Sequence, residues 1–260
     1  MIPMDYITAW KSQAPWATMD LIEQDLVISR ALVDLYTSNL LQEKIAFRGG
    51  TALNKLFFPT PARFSEDIDL VQFSSEPIGV TIDEIRARLS WLGEPRRKQN
   101  EGRVTLTYRF ETEATQTQVK LKVEINTREH LSKFALVKKK LEVKNPWFTG
   151  TAEITSYLVE ELLGTKVRAL YQRRKGRDLF DLWLINEEIE VDWAKVAVCF
   201  RFYLAEEGTK ISKNELFQNL DQKMLNREFL ADMSAIKRSE IEYDPNQAMK
   251  FFQQVVSKYF

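Results

Sequence analysis

The chain has 260 residues, 44% of them hydrophobic and 28% charged, which is long and apolar enough to bury a substantial core. Its 37 basic and 37 acidic residues balance, so nucleic-acid binding would need a local basic patch and not an overall basic surface. One cysteine excludes an intrachain disulfide, and one cysteine with one histidine excludes the common zinc sites.

The N-terminal quarter predicts a helix, a short strand and a second helix. No signal-peptide pattern opens the chain and no 18-residue apolar stretch occurs, so we expect a cytoplasmic protein. Residues 18–42 have the apolar spacing of an amphipathic helix, with Asp20 and Glu23 at capping-box spacing. The segment IAF (45–47) predicts a buried strand, and TALNKLFF (51–58) predicts a helix that ends before two prolines.

The middle of the chain predicts strands around one further helix. DIDLVQF (67–73) predicts a strand and TIDEIRARLSWLG (81–93) a helix. The segments RVTLTYRFE and QVKLKVEIN alternate apolar and polar residues and are separated by the polar TEATQT. Together they predict a β-hairpin.

From about residue 153 the pattern is helical to the end of the chain. We therefore predict two domains, residues 1–150 and 151–260, joined through KNPWFTGT (144–151). The predicted fold class is α+β: a small mixed β-sheet core flanked by helices, followed by an all-α C-terminal domain.

Two aspartates in one strand indicate a cation site. Because strand residues two apart point to the same side, Asp67 and Asp69 project together. The same parity places Glu124 opposite the apolar face of QVKLKVEIN, where it would complete a three-carboxylate cluster if the two strands are neighbours. Oxygen ligands of this kind suit Mg²⁺ shared with substrate phosphates. The alternatives are an exposed polar face and a solvated charge ladder.

Two glycines before a helix indicate a phosphate site. Gly49 and Gly50 let the backbone approach a ligand, and the helix that follows offers free N–H groups to an anion. Thr51 can add a hydroxyl. A phosphate cradle and a metal-binding pair on consecutive strands are what nucleotidyl transfer requires, although a Gly-Gly pair can also form an ordinary tight turn.

A second group of charged residues lies in GTKVRALYQRRKGRDLFDLWLI, residues 164–185. Lys166 could reach a triphosphate, and an arginine cluster with Arg173 and Arg177 could neutralise phosphates. Asp181 and Asp178, three apart on one helix face, could orient Lys166 or an arginine. The alternative is an ordinary helix hairpin stabilised by ion pairs.

Four further features have structural explanations. His130 and Cys199 are expected to be packing residues, since neither has a sequence neighbour that suggests catalysis. The basic runs EPRRKQ (94–99) and VKKKLEVK (137–144) are expected to be solvated faces. They are also the best candidates for an RNA-backbone track.

Three strings carry a family resemblance: FRGGTALNKLF, RFSEDIDLV and TKVRALYQRRKGRDLFDLW. They closely resemble the AbiEii-like nucleotidyltransferases, toxins of type IV toxin–antitoxin and phage abortive-infection systems within the DNA polymerase β-like superfamily. The resemblance covers residues 44–185 and implies a nucleotidyltransferase core, NTP as substrate, and Mg²⁺ or Mn²⁺. It also implies a cognate antitoxin and a tRNA acceptor end as the target.

The resemblance also implies roles for individual residues. Ser65 lies where related toxins are silenced by modification, which makes it a candidate regulatory residue, although a buried hydroxyl at the strand turn is the ordinary explanation. Glu124 is assigned by strand parity as the third carboxylate. The remaining positions transfer by motif: Gly49, Gly50 and Thr51 to the triphosphate, Asp67 and Asp69 to metal, and Lys166 with Asp181 to the active site.

The leading hypothesis is a Mg²⁺-dependent nucleotidyltransferase toxin that adds NMP to RNA and blocks translation. Two alternatives stay open. The nucleotide could be transferred to a protein hydroxyl, or the chain could be a catalytically idle module that binds NTP without releasing pyrophosphate.

Overall fold

A computed structural model describes residues 2–260 and divides the chain into two compact units, Met1–Tyr157 and Leu158–Phe260. The first unit contains a seven-stranded mixed sheet and five helices. The strands are β1 (Ile45–Arg48), β2 (Asp67–Gln72), β3 (Arg96–Asn100), β4 (Arg103–Glu111), β5 (Gln118–Asn126), β6 (Val137–Asn145) and β7 (Phe148–Ser156). The helices are α1 (Met4–Trp10), α2 (Met19–Tyr36), α3 (Asn39–Lys44), α4 (Gly49–Leu56) and α5 (Gly79–Arg88).

The strand order places β2 at the centre of the sheet. The order is β3-β4-β5-β2-β1-β7-β6, with β2 parallel to β5, β1 parallel to β7 and the other neighbours antiparallel. The predicted mixed sheet with flanking helices is confirmed, and β4 and β5 form the predicted hairpin. Helix α2 packs on β7 and β6 and supplies much of the buried core.

Three strands occur where the sequence analysis assigned none. The basic run EPRRKQ contains the start of β3, and VKKKLEVK forms most of β6. Both are edge strands, and exposed lysine and arginine side chains protect such edges from pairing with other chains. Strand β7 crosses the predicted boundary at residue 150 and continues to Ser156, so residues 153–156 form a strand where a helical pattern was expected. The units divide after Tyr157, and the segment 144–151 belongs to the sheet.

The predicted helix over residues 18–42 is two helices. Thr18 caps α2 by accepting a hydrogen bond from the Leu21 N–H, so the predicted capping box of Asp20 and Glu23 is not the one that forms. Glu23 instead accepts from the backbone N–H of Glu113 at 2.8 Å. The chain breaks after Tyr36 and α3 follows with Ser38 as its cap.

The second unit is helical, as predicted. Its helices are α6 (Val159–Gln172), α7 (Gly176–Glu188), α8 (Trp193–Glu206), α9 (Lys213–Met224), α10 (Arg227–Ala231) and α11 (Pro245–Tyr259). Helix α6 packs closely on α8, where a Cβ atom on Gly164 would lie 2.6 Å from the Cβ of Cys199. Cys199 is buried there, and in the first unit His130 Nδ1 donates to the Gln72 carbonyl at 2.9 Å. Within residues 2–260, no helix is long and apolar enough to cross a membrane.

Candidate active site

The first turn of α4 brings the backbone against two charged side chains. Gly49 has a φ of +82°, a left-handed conformation that favours glycine. A Cβ atom on Gly49 would collide with Asp69 Oδ2, and a Cβ atom on Gly50 would collide with Arg63 Nη2. The conformation and the close approach of Asp69 therefore favour glycine at position 49, whereas at position 50 the end of the Arg63 side chain would have to move. The first N–H groups of α4, which have no acceptor within the helix, lie in the same place.

The loop between α4 and β2 is fastened to the helix by Asn54. Its Oδ1 accepts hydrogen bonds from the backbone N–H groups of Ala62 at 3.0 Å and Arg63 at 3.2 Å. Its Nδ2 donates to the Gly50 carbonyl at 3.0 Å. Arg63 is consequently held in a buried position, with Nη1 donating to the Phe64 carbonyl at 3.1 Å. These hydrogen bonds therefore fix the conformation of the loop beside the glycines.

Two hydroxyl groups connect α4 to the start of β2. Thr51 Oγ1 donates to the Asp67 carbonyl at 2.5 Å and lies 2.8 Å from the Ser65 hydroxyl. Thr51 is buried and Ser65 is half-buried. The Thr51 hydroxyl therefore holds the strand that carries the aspartates. The Ser65 hydroxyl lies beside it at the turn before β2, as expected of a residue with a structural role.

The three predicted carboxylates lie on one face of the sheet. Asp67 and Asp69 alternate along β2 with the buried Ile68 and Leu70. In the parallel pairing of β2 with β5, Glu124 lies opposite Asp69. All three carboxylates are on rigid neighbouring strands, since β2 is central in the sheet and β5 is paired on both sides.

Two cations accompany these carboxylates. Lys122 Nζ lies 3.6 Å from Asp67 Oδ1, and Arg103 Nη1 lies 3.3 Å from Glu124 Oε2. In the part of the chain that the structure describes, no three His, Cys, Asp or Glu side chains gather as a metal-ligand group. The three carboxylates therefore share one face of the sheet, and Asp67 and Glu124 each contact a cation there. Their partly exposed oxygen donors are chemically suited to Mg²⁺.

Arg48, which no sequence pattern singled out, ends β1 and lies opposite Asp69. Arg48 Nη1 donates to Glu129 Oε2 at 2.6 Å, and Asn126 Nδ2 donates to the same oxygen at 3.1 Å. Burial lowers the pKa of Arg48, but the Glu129 carboxylate and the more distant Asp69 charge raise it above its usual value. Arg48 is next to the glycines in FRGG, yet its partner is 81 residues away, so no local pattern reveals the pair.

In the second unit, Lys166 lies between two buried aspartates. Its Nζ is 2.7 Å from Asp181 Oδ2 and 3.3 Å from Asp178 Oδ1. Arg173 adds a two-pronged pair to Asp178, with Nε at 2.7 Å and Nη2 at 2.8 Å. These ion pairs join α6 to α7. The geometry is compatible with both interpretations of the sequence, a lysine oriented by aspartates and a helix hairpin stabilised by ion pairs. Two cations and two carboxylates compensate one another within it.

Arg177, predicted beside this group, has a different partner. Its backbone N–H donates to Asp232 Oδ2 at 3.0 Å. The end of α6 has a further buried cation that the sequence analysis did not consider, Lys223, which donates to the carbonyls of Leu170 and Tyr171. Burial lowers the pKa of Lys223 to about 8. Lys223 therefore satisfies the terminal carbonyls of α6.

The comparisons with known proteins agree with the motifs. The sequence model of the family described as "Nucleotidyl transferase AbiEii toxin, Type IV TA system" matches residues 30–255. No curated protein matches the chain.

Two solved structures share the fold. The chain is similar to MenT4, a nucleotidyltransferase toxin from Mycobacterium tuberculosis, with a TM-score of 0.64 and 13% identity over 99% of this chain and 90% of that one. It is also similar to JHP933 from Helicobacter pylori, with a TM-score of 0.56 and 14% identity over 92% of this chain and 91% of that one. At these identities the likeness concerns the fold alone.

Proposed function

Because this chain belongs to the AbiEii nucleotidyltransferase toxin family, we propose that it transfers a nucleoside monophosphate from an NTP to RNA, at the acceptor end of tRNA. The observation that carries the proposal is the contact between the Gly49 turn and the Asp69 carboxylate. It brings a phosphate-binding element and a carboxylate strand to one place, as transfer between phosphates and a hydroxyl requires.

The nucleotide phosphates are assigned to the start of α4. Gly49 and Gly50 leave room for close approach, and the helix N-terminus favours negative charge. Arg63 borders the same turn and Asn54 holds it in place. The phosphates would therefore meet backbone donors that are positioned before the nucleotide binds.

Asp67 and Asp69 would hold Mg²⁺ or Mn²⁺, with Glu124 as the third carboxylate on the next strand. The ion would supply charge neutralisation for the phosphates and the leaving pyrophosphate. Asp67 would exchange its contact with Lys122 for this role, a small cost because both side chains are partly exposed.

The transfer itself is an in-line displacement. The acceptor hydroxyl oxygen forms a bond to the α-phosphorus, and the bond from that phosphorus to the pyrophosphate oxygen breaks. We assign the Glu124 carboxylate to receive the hydroxyl proton, because it lies beside Asp69 in the register of the sheet. Arg48, fixed by Glu129, holds the end of β1 next to this row.

Toxin–antitoxin systems pair each toxin with an antitoxin, so the family implies such a partner for this chain. Growth inhibition would follow from transfer, since a tRNA with a blocked acceptor end cannot be charged with an amino acid. The antitoxin would suppress that transfer.

The test incubates the purified protein with Mg²⁺, total RNA and each of the four NTPs in turn, radiolabelled at the α-phosphate. Asp69→Ala is the inactive variant, and Asp83→Ala, on the exposed surface of α5, is its matched control. We expect a labelled tRNA-sized band with wild type and Asp83→Ala only. Label on a polypeptide would favour a protein acceptor, and no label with any NTP would contradict the proposal.

A further inference from the structure

One half of the sheet has an open polar face next to the carboxylates. The apolar side of β4 and β5 contains six buried residues, Val104, Leu106, Tyr108, Leu121, Val123 and Ile125. The opposite side holds the residues that alternate with these, and it continues the side of β2 that bears Asp67 and Asp69. We call this side of β3, β4 and β5 the polar face.

Cations predominate on the polar face. The register of the three strands places six of them there: Arg96, Lys98, Arg103, Arg109, Lys120 and Lys122. The carboxylates among the same positions are Glu111 and Glu124. Arg103 pairs with Glu124 and Lys122 with Asp67, whereas the other four cations form no ion pair within residues 2–260. Those four are exposed and available to a ligand.

Edge protection does not account for this charge. It would explain Arg96 and Lys98, which lie on the edge strand β3. It does not by itself explain why Arg109 and Lys120 face each other between β4 and β5. These two residues are direct cross-strand partners, an arrangement that destabilises a sheet unless an anion lies between the charges.

The other basic edge of the sheet, β6, differs from the polar face in its ion pairs and in the burial of the face next to it. On β6, Lys140 lies opposite Glu153, and Lys144 pairs with Glu142 at 3.0 Å. On that side of β2 the same face is covered, since Ala46, Val71 and Thr155 are buried. Within residues 2–260, the exposed side chains next to the carboxylates therefore continue towards β3.

We propose that the polar face is the track that binds the phosphate backbone of the acceptor RNA and delivers its end to Asp67 and Asp69; this inference rests on the proposed function. The face runs roughly 20 Å along β4 from Arg103 to Arg109 and about 14 Å across from β2 to β3. That length accommodates roughly six stacked nucleotides at about 3.4 Å each. Where the track ends, the positive charges of Lys122 and Arg103 lower the repulsion between the RNA phosphates and the carboxylates.

The test compares two charge-matched triple variants. Lys98→Gln, Arg109→Gln and Lys120→Gln together remove three cations from the polar face. Lys138→Gln, Lys140→Gln and Lys144→Gln together remove three exposed cations from β6. For each protein we would measure kcat and KM for tRNA in the transfer reaction. Anisotropy of fluorescent tRNA over a series of salt concentrations would give the binding constant independently of turnover.

We expect the polar-face variant to raise the KM for tRNA about tenfold or more, with kcat at saturating tRNA and the KM for NTP unchanged. The plot of log K against log salt should become shallower by about 2 in slope, since each of the three lost phosphate contacts with a single strand contributes about 0.7. The β6 variant should match wild type. Lys98→Gln alone should lower the slope by about 0.7, which keeps the test valid if the triple variant folds poorly.

The outcomes separate the track from the proposed function. Wild type that labels RNA, with a polar-face variant equal to wild type in KM and slope, would overturn the track alone. Unchanged RNA parameters with weakened neutralisation by the antitoxin would assign the face to a protein and also overturn it. Wild type that neither labels nor binds RNA would overturn both.

Discussion

The charged groups of the two units differ in exposure and compensation. In the first unit, the side chains of Asp67 and Lys122 are 33% and 39% exposed, and their nearest atoms lie 3.6 Å apart. In the second unit, Lys166 is 6% exposed and its partners Asp178 and Asp181 are fully buried, with a closest approach of 2.7 Å. An exposed loose pair exchanges partners at little cost, whereas a buried pair does not. The first arrangement suits a ligand site and the second a fixed support.

The largest expected effect is on the buried pair. Lys166→Met should lower the free energy of unfolding by about 3–5 kcal/mol, because it leaves two buried carboxylates short of a cation. Lys122→Met, at the exposed pair, should change it by less than about 0.5 kcal/mol. Urea unfolding of both variants makes the measurement. Unchanged stability with lost transfer in Lys166→Met would instead place Lys166 in catalysis.

The second effect concerns the partly exposed carboxylates of β2. Asp69→Asn should lower the rate of nucleotide transfer about a hundredfold or more, the scale for loss of a group that acts on the transition state. Its unfolding midpoint should stay near that of wild type, as should both properties of Asp83→Asn. Steady-state transfer assays measure the rates. Wild-type turnover in Asp69→Asn would remove Asp69 from the site.

A pair of glycine variants separates backbone strain from contact with the site. Gly49 and Gly93 have φ values of +82° and +78°, so alanine at either position should cost about 1–2 kcal/mol in stability. Only at Gly49 would the new Cβ meet Asp69; at Gly93 it would meet nothing within 4 Å. Transfer activity should therefore fall in Gly49→Ala alone. Equal activity in the two variants would contradict the assigned contact.

The last prediction is a pH dependence of stability from Lys223. Burial lowers its pKa to about 8 from 10.5, so between these pH values the unfolded chain binds more protons than the folded one. This residue should therefore make the free energy of unfolding rise with pH from about 8 to 10.5. Lys223→Met should show a shallower rise in that window, and the exposed control Lys250→Met should follow wild type. Parallel curves for all three proteins would exclude a lowered pKa.

Local patterns predicted the elements that depend on neighbouring residues. The alternation in RVTLTYRFE and QVKLKVEIN predicted the β4–β5 hairpin, because side-chain parity is a local property of a strand. The three-residue spacing of Asp178 and Asp181 predicted one helix face. The basic sequences of β3 and β6 concealed their strands, since edge strands need little apolar surface of their own.

By itself, the sequence determined the chemical groups available: the glycine turn, the paired aspartates of β2 and the lysine and aspartates of the second unit. Only the tertiary structure decided which partners they have. Strand order brought Glu124 beside Asp69, and a contact across 81 residues joined Arg48 to Glu129. Packing left the charged groups of the first unit partly open to solvent and buried those of the second unit beside their counter-charges. Solvent exposure depends on how distant segments pack.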